Sequence, residues 1–155
     1  PPGKWGITYD YKGNCTLPTC LTSMYWNWGV IYADIVEKSR AGTWKGGWEY
    51  FDADSGGLGL YGFMEGETLM PGVAELPEED IQLVRNILDQ MLKGEFTRFD
   101  VFKGPIYDNR GNLILPEGVS LEQADLDGFK EFGSPCNVCM YWWNENITAE
   151  LPPLD

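Results

Sequence analysis

The amino-acid sequence predicts an α/β fold, on three observations. Residues 22–41 and 77–93 carry apolar side chains spaced by three and four, as one face of a helix requires. Short runs rich in aromatic and β-branched residues lie around them, each bounded by Gly, Pro, Asn or Asp. Helices that alternate with strands in this way build mixed layers rather than a bundle or a sandwich. The strands are few and scattered, so the pattern is part of a doubly wound fold and not a complete one. There is no internal repeat and no low-complexity segment.

In order along the chain, Lys4 to Asp10 reads as a short strand that ends in an acid. Gly13 to Cys20 is a loop punctuated by Gly13, Asn14 and Pro18. Thr22 or Ser23 can cap a helix that runs to Ala41, with Tyr25, Trp28, Ile31, Tyr32, Ile35 and Val36 as its buried stripe. Lys38 and Arg40 suit its negative end and Gly42 stops it. Gly47–Phe51 reads as a strand, Asp52–Gly57 as a tight polar loop, and Leu58–Phe63 as a further short strand. Met64 to Leu76 is loop.

The second helix opens on Pro77, Glu78, Glu79 and Asp80, which favour a helix start. Ile81, Val84, Ile87, Leu88, Met91 and Leu92 form its stripe, and Lys93 and Gly94 end it. Phe99–Phe102 reads as a strand. Pro105–Leu115 reads as a hairpin that turns at Asp108–Gly111. Ser120 to Gln123 fits a capping box for a short third helix. An aromatic run, Met140 to Trp143, and a Pro-rich tail close the sequence.

Composition narrows the function. The 155 residues suffice for one ordinary core, and 43% hydrophobic with 23% charged residues exclude a disordered tail. No apolar stretch approaches the ~20 residues that span a bilayer. The start at Pro1-Pro2-Gly3 lacks a secretory signal, so a signal was removed or the chain starts inside a larger protein. A net charge of −13 repels phosphate backbones and argues against nucleic acid as a partner. His is absent, which removes the commonest general base and the commonest zinc ligand. Aromatic residues are 14% of the chain, and their rings serve cores or stack on sugars and bases.

Four cysteines form two local groups, Cys15 with Cys20 and Cys136 with Cys139. In an exported protein they are disulfides, with three possible pairings; in a cytosolic one they suit a tetrathiolate zinc site or a redox pair. The glycines that often accompany zinc knuckles are missing, which favours disulfides.

Four segments then resemble one family. Trp5-Gly6-Ile7-Thr8-Tyr9-Asp10 is similar to a strand that ends in a hinge aspartate. Leu21-Thr22-Ser23-Met24-Tyr25-Trp26-Asn27-Trp28-Gly29, followed by Ala41-Gly42-Thr43-Trp44-Lys45-Gly46-Gly47, is similar to a helix and its exit. Asp54-Ser55-Gly56-Gly57-Leu58-Gly59-Leu60 follows a strand in both. Phe102-Lys103-Gly104-Pro105-Ile106 with Asp108-x-x-Gly111 resembles a terminal hairpin. Together, in order and spacing, they resemble the basic membrane protein family of solute-binding proteins over residues 1–118, most closely from Trp5. Residues 119–155 with their Cys pair are an unassigned extension.

The resemblance implies part of a two-lobe, type I periplasmic-binding-protein-like fold, the C-terminal half of one. It implies capture of a purine nucleoside-like ligand, with no chemistry and no cofactor, for the permease of an ABC importer. It implies an extracytoplasmic location, periplasmic or at the cell surface, with a lipid anchor on a missing N-terminus. A missing N-terminal half, or self-association, would cover apolar surface that the half chain exposes. Carried over residue by residue, Asp10 would hold sugar hydroxyls, Trp26 with Asn27 would stack and orient, and Asp54, Ser55, Gly56 and Gly57 would line the cleft. The family often has Lys at the positions of Trp26 and Asp54, so the ligand is less anionic or carries a positive group.

Each residue has a plainer reading. Asp10 could form a turn, Trp28 fits the core stripe, and residues two apart on one helix face apart, so Trp26 and Trp28 would not share a role. Asp52-x-Asp54-x-Gly56 resembles the start of a calcium loop, but the later acid falls on Phe63. A carboxylate pair at Asp52 and Asp54 keeps a glycoside hydrolase as an alternative. A small disulfide- or zinc-stabilised interaction domain is the other.

Overall fold

The structure is a computed structural model that describes residues 4–128 and 136–150. The Pro-rich tail and the first three residues lie outside the described residues. The fold is mixed α/β and divides into two compact units, Pro1–Glu95 and Phe96–Asp155.

In the first unit, β1 (Gly6–Asp10) lies parallel to β2 (Cys20–Trp26), and β2 pairs antiparallel with β3 (Leu58–Leu60). The order β1-β2-β3 makes β2 the central strand. The short connection from β1 to β2 is stapled by a Cys15–Cys20 disulfide with both cysteines buried. Closing so short a loop is worth about 2 kcal/mol on a chain-entropy account. Thr22 and Ser23 are buried inside β2 and cap nothing. Their hydroxyls donate to backbone carbonyls, Thr22 Oγ1 to Tyr61 at 2.8 Å and Ser23 Oγ to Tyr11 at 3.1 Å.

The predicted first helix is therefore corrected: its first part is β2, and α1 (Trp28–Arg40) begins only after Asn27. Neighbours on both edges satisfy the backbone of Leu21–Trp26, which outweighs its helical spacing. Of the expected stripe only Ile31 is buried, while Trp28, Tyr32 and Val36 are exposed. Gly42 ends the region with φ +70°, as a helix stop requires. Gly47–Phe51 is not a strand. Gly46 and Gly47 take φ +71° and +106°, outside the β region, and Trp48 is 90% exposed. Leu58–Phe63 is a strand only to Leu60, and Phe63 N–H donates to Leu60 in a turn.

The second helix, α2 (Glu78–Leu92), stands as its sequence predicts, with Pro77 at its start and Gly94 at φ +70° after its end. Its Ile81 and Leu88 are buried, and its apolar face lies along β3 and Ala53. A 3₁₀ turn, Pro71–Glu75, lies against β2 and buries Val73 fully.

In the second unit Phe99–Phe102 is not a strand but lies largely in a one-turn helix, α3 (Arg98–Val101). Thr97 Oγ1 accepts from Phe99 N–H, and Asp100 accepts from Thr97 N–H at 2.9 Å, a capping box. The hairpin forms as predicted from β4 (Ile106–Tyr107) and β5 (Leu113–Leu115), and Gly111 N–H donates to Asp108 across its turn at 3.0 Å. The third helix, α4 (Gln123–Asp127), is capped by Glu122 and Asp125, two residues beyond the predicted box at Ser120. Leu115 and Leu121 are the buried apolar centre of this unit. The run Tyr141 to Trp143 is half-buried to exposed and is not a strand.

Three carboxylates of the second unit are held below the usual range. Thr97 backbone and hydroxyl groups lower Asp100, and the Asn112 amide leads the donors that lower Asp108. Burial pushes Asp125 up, but the amides of Val138, Glu122 and Asn137 outweigh it. A folded-state pKa below the unfolded value contributes stability above the ordinary carboxylate range, which is lost as pH falls through the folded value. The Phe96–Asp155 unit is therefore expected to open in acid, below pH ~4. Hydrogen exchange of its hairpin amides from neutral pH downwards checks this, and protection that persists unchanged to pH ~2 refutes it.

Candidate functional site

Parallel pairing brings the carboxyl ends of β1 and β2 together, with Asp10 opposite Tyr25. One residue further Trp26 ends β2, Asn27 turns the chain, and Trp28 opens α1. In open α/β sheets this edge, outside strand carboxyl ends and at a helix start, is where ligands bind. Here it forms an open groove of about 600 Å³ lined by Asp10, Tyr11, Lys12, Tyr25, Trp26, Asn27 and Trp28.

The strand–helix junction overturns the expectation that Trp26 and Trp28 point apart. Their ring centroids are 5.9 Å apart, and Trp28 stacks on Tyr32 at 5.7 Å and 25°. The three rings make a continuous strip. Trp28 is 49% and Tyr32 61% exposed, so both belong to the surface and not to the core.

Asp10 is the one described non-glycine residue at positive φ, +80°. Asp tolerates the left-handed region better than most residues, but such strain concentrates where a side chain must be aimed. The turn after it is held by Asn14 Nδ2 donating to the Tyr9 carbonyl at 3.0 Å. Gly13 lets the Tyr11 ring lie close, because a Cβ there would stand 2.2 Å from the ring and displace it. Gly59 plays the same part on β3, where a Cβ would stand 2.3 Å from the Tyr25 ring. Lys12 Nζ sits 4.1 Å from the Tyr25 centroid and pairs with Glu67, whose hydrogen bond raises the Lys12 pKa. The groove thus holds one carboxylate, one paired ammonium and a wall of rings.

Asn27 spends its amide on the neighbouring loop. Its Nδ2 donates to the Gly56 carbonyl at 3.1 Å and its N–H to the Gly57 carbonyl at 2.8 Å. Through it the 54–57 segment is tied to the groove, although Asp54, Ser55, Gly56 and Gly57 do not line it. Asp54 faces the end of α2, where a Cβ on Gly94 would meet its carboxylate at 3.3 Å. Ser55 Oγ donates to Asp52, and the N–H groups of Gly56 and Gly57 donate to Ala53 and Ser55, so those amides serve the turn. The structure brings together Asp10, Trp26 and Asn27, and adds Tyr11, Lys12, Tyr25, Trp28 and Tyr32. Of the added aromatics, Tyr25, Trp28 and Tyr32 carry a signal in their spacing, which predicts a core stripe; Tyr11 carries none.

The described cysteines pair locally, Cys15 with Cys20 and Cys136 with Cys139, with Cα separations of 5.4 and 5.2 Å. No thiol is left for zinc, and no three acidic or cysteine groups gather as metal ligands among the described residues. Two disulfides point to an oxidising, extracytoplasmic or secreted setting. Among the described residues no helix is long and apolar enough to cross a membrane. No family model and no curated protein matches the chain.

Proposed function

We propose that this chain is part of an extracytoplasmic solute-binding protein that captures a nucleoside-like molecule for an ABC importer and performs no chemistry on it. The observation that carries the reading is the Trp26–Trp28–Tyr32 strip, half-buried at Trp26 and exposed at Trp28 and Tyr32, beside Asp10 at the carboxyl ends of two parallel strands. Rings stack on a base with tolerance for its identity, and an exposed carboxylate accepts two hydrogen bonds from vicinal sugar hydroxyls. The similarity of the Trp5–Asp10 and Phe102–Gly111 segments to the basic membrane protein family supports the same reading, whereas Leu21–Gly29, a helix in that family, is strand β2 and the start of α1 here. The two-lobe, type I arrangement belongs to this proposal. So does a covering partner, an N-terminal half or a second copy, because β1 is an edge strand with Ile7 68% and Tyr9 59% exposed. A two-carboxylate hydrolase fits less well. Among the described residues Asp10 is the only acid that lines the groove, and Asp54 faces elsewhere.

Titration of the full gene product with adenosine, guanosine, cytidine, uridine and free ribose, read by tryptophan fluorescence and thermal shift, tests the proposal. One nucleoside class is expected to quench fluorescence and, at ~100 times its dissociation constant, to add about 2.7 kcal/mol of stability. Silence from every nucleoside at millimolar concentration would sink it.

A further inference from the structure

The second unit contains a buried carboxylate that no part of the groove uses. Asp125 is 4% exposed, on α4. Its Oδ2 accepts from the Glu122 N–H at 3.0 Å, inside its own capping box. Its Oδ1 accepts from the N–H groups of Asn137 and Val138, at 2.7 and 2.8 Å. These are the two residues between Cys136 and Cys139, which are joined by a disulfide. The ring closed by that bond holds two consecutive amides side by side, converging on one oxygen. Met140 N–H adds a bond to the Gly128 carbonyl at the end of α4, at 3.3 Å. The disulfide loop is therefore docked on α4 chiefly through one anion.

We propose that the Cys136–Cys139 disulfide is a thiol–disulfide exchange site, and that its reduction releases the 136–140 segment from Asp125 and α4. The reductant is a dithiol, whether a small molecule or an oxidoreductase of the same compartment. Its thiolate attacks one sulfur of the pair. A mixed disulfide forms, the Cys136–Cys139 bond breaks, and the second sulfur leaves with the electron pair and takes up a proton. The second thiol of the reductant then closes on its own bound sulfur, freeing the remaining cysteine as a thiol. Two electrons pass to the protein, and the reductant leaves as a disulfide.

Two features make this pair the one addressed. Cys15 and Cys20 are each 4% exposed, whereas Cys136 and Cys139 are only partly buried, so a reductant reaches the second disulfide first. Cys136 also sits against Gly128, where a Cβ would stand 2.9 Å from its sulfur. Reduction breaks the bond that closes this ring. The two amides between the cysteines then lose the constraint that aims them at one oxygen. Asp125 then keeps one of three donors and becomes an uncompensated buried charge, which drives the segment off.

The test is graded dithiothreitol on the full chain, followed by iodoacetamide, peptide mass mapping, and amide exchange at Asn137 and Val138. The expected result is alkylation of Cys136 and Cys139 at least ~10-fold faster than of Cys15 and Cys20, with a fall of ~10-fold or more in amide protection. Equal alkylation of all four cysteines, or unchanged protection after reduction, overturns the proposal. A double variant, Cys136→Ser with Cys139→Ser, is expected to show the released state without reductant, and full protection in it would overturn the coupling. Should that variant not fold, Asp125→Asn keeps an acceptor oxygen but removes the charge. It is expected to be reduced faster than wild type, and an unchanged rate overturns the role of Asp125.

Discussion

Replacing Asp125 with alanine is expected to destabilise the Phe96–Asp155 unit by about 3 kcal/mol or more, a large part of what any small domain possesses. The carboxylate is the sole acceptor shown for three backbone N–H groups, at Glu122, Asn137 and Val138. Alanine leaves all three donors in place and removes both oxygens. Each buried amide without a partner costs about 1–3 kcal/mol, less where water reaches it. A comparison defines the mechanism. Asp100 also accepts from a helix-start N–H, that of Thr97, but from the surface side of a single turn. Asp100→Ala should therefore cost clearly less, as the loss of an outer cap does. Urea unfolding followed by hydrogen exchange, which separates the two units, checks the order. An Asp125→Ala loss no larger than that of Asp100→Ala would show that the buried anion is not what docks the disulfide loop.

What the sequence disclosed followed from how local each signal is. The second helix was legible because Pro77, three acids and a regular stripe are all written within one segment. The hairpin was legible because Asp108 and Gly111 determine its turn without help from elsewhere. The disulfides followed from cysteine spacing, while their pairing needed the fold. By contrast β2 was hidden. A central strand is recognised by its two neighbours, and Leu21–Trp26 lacks the polar alternation that betrays a strand with one wet face. The helical spacing of Tyr25, Trp28 and Tyr32 runs across the junction at Asn27, so the stripe it predicts for one helix is shared by a strand and a helix. The capping box of α3 was written in Thr97 and Asp100 but yielded to the aromatic run that follows. The same junction explains the site. Asp10, Trp26 and Asn27 were singled out by resemblance and do meet at one edge. Tyr11, Lys12 and Trp28 join them only because two parallel strands end side by side, which no local pattern records.

Alanine at both Trp26 and Trp28 is expected to weaken nucleoside binding 100-fold or more, while leaving the fold in place. A base stacked on an aromatic side chain gains about 1–3 kcal/mol per ring contact, and two adjacent rings at 5.9 Å present one continuous surface. Trp28 is half exposed, so its removal empties no core. Trp28→Ala alone also removes the stacking partner of Tyr32, so its effect should exceed that of Tyr32→Ala. Asp10 needs a different substitution. At φ +80° an alanine would be strained, whereas Asp10→Gly keeps the backbone and deletes only the carboxylate. Its loss should cost about 1.5–3 kcal/mol of binding, as charged hydrogen bonds do, and should fall on nucleosides but not on free bases. Calorimetric titration of these four variants against a nucleoside and its free base separates the two contributions. If the double tryptophan variant binds as wild type does, the solute sits elsewhere. If Asp10→Gly weakens base and nucleoside alike, the carboxylate does not hold the sugar, and the groove recognises rings alone.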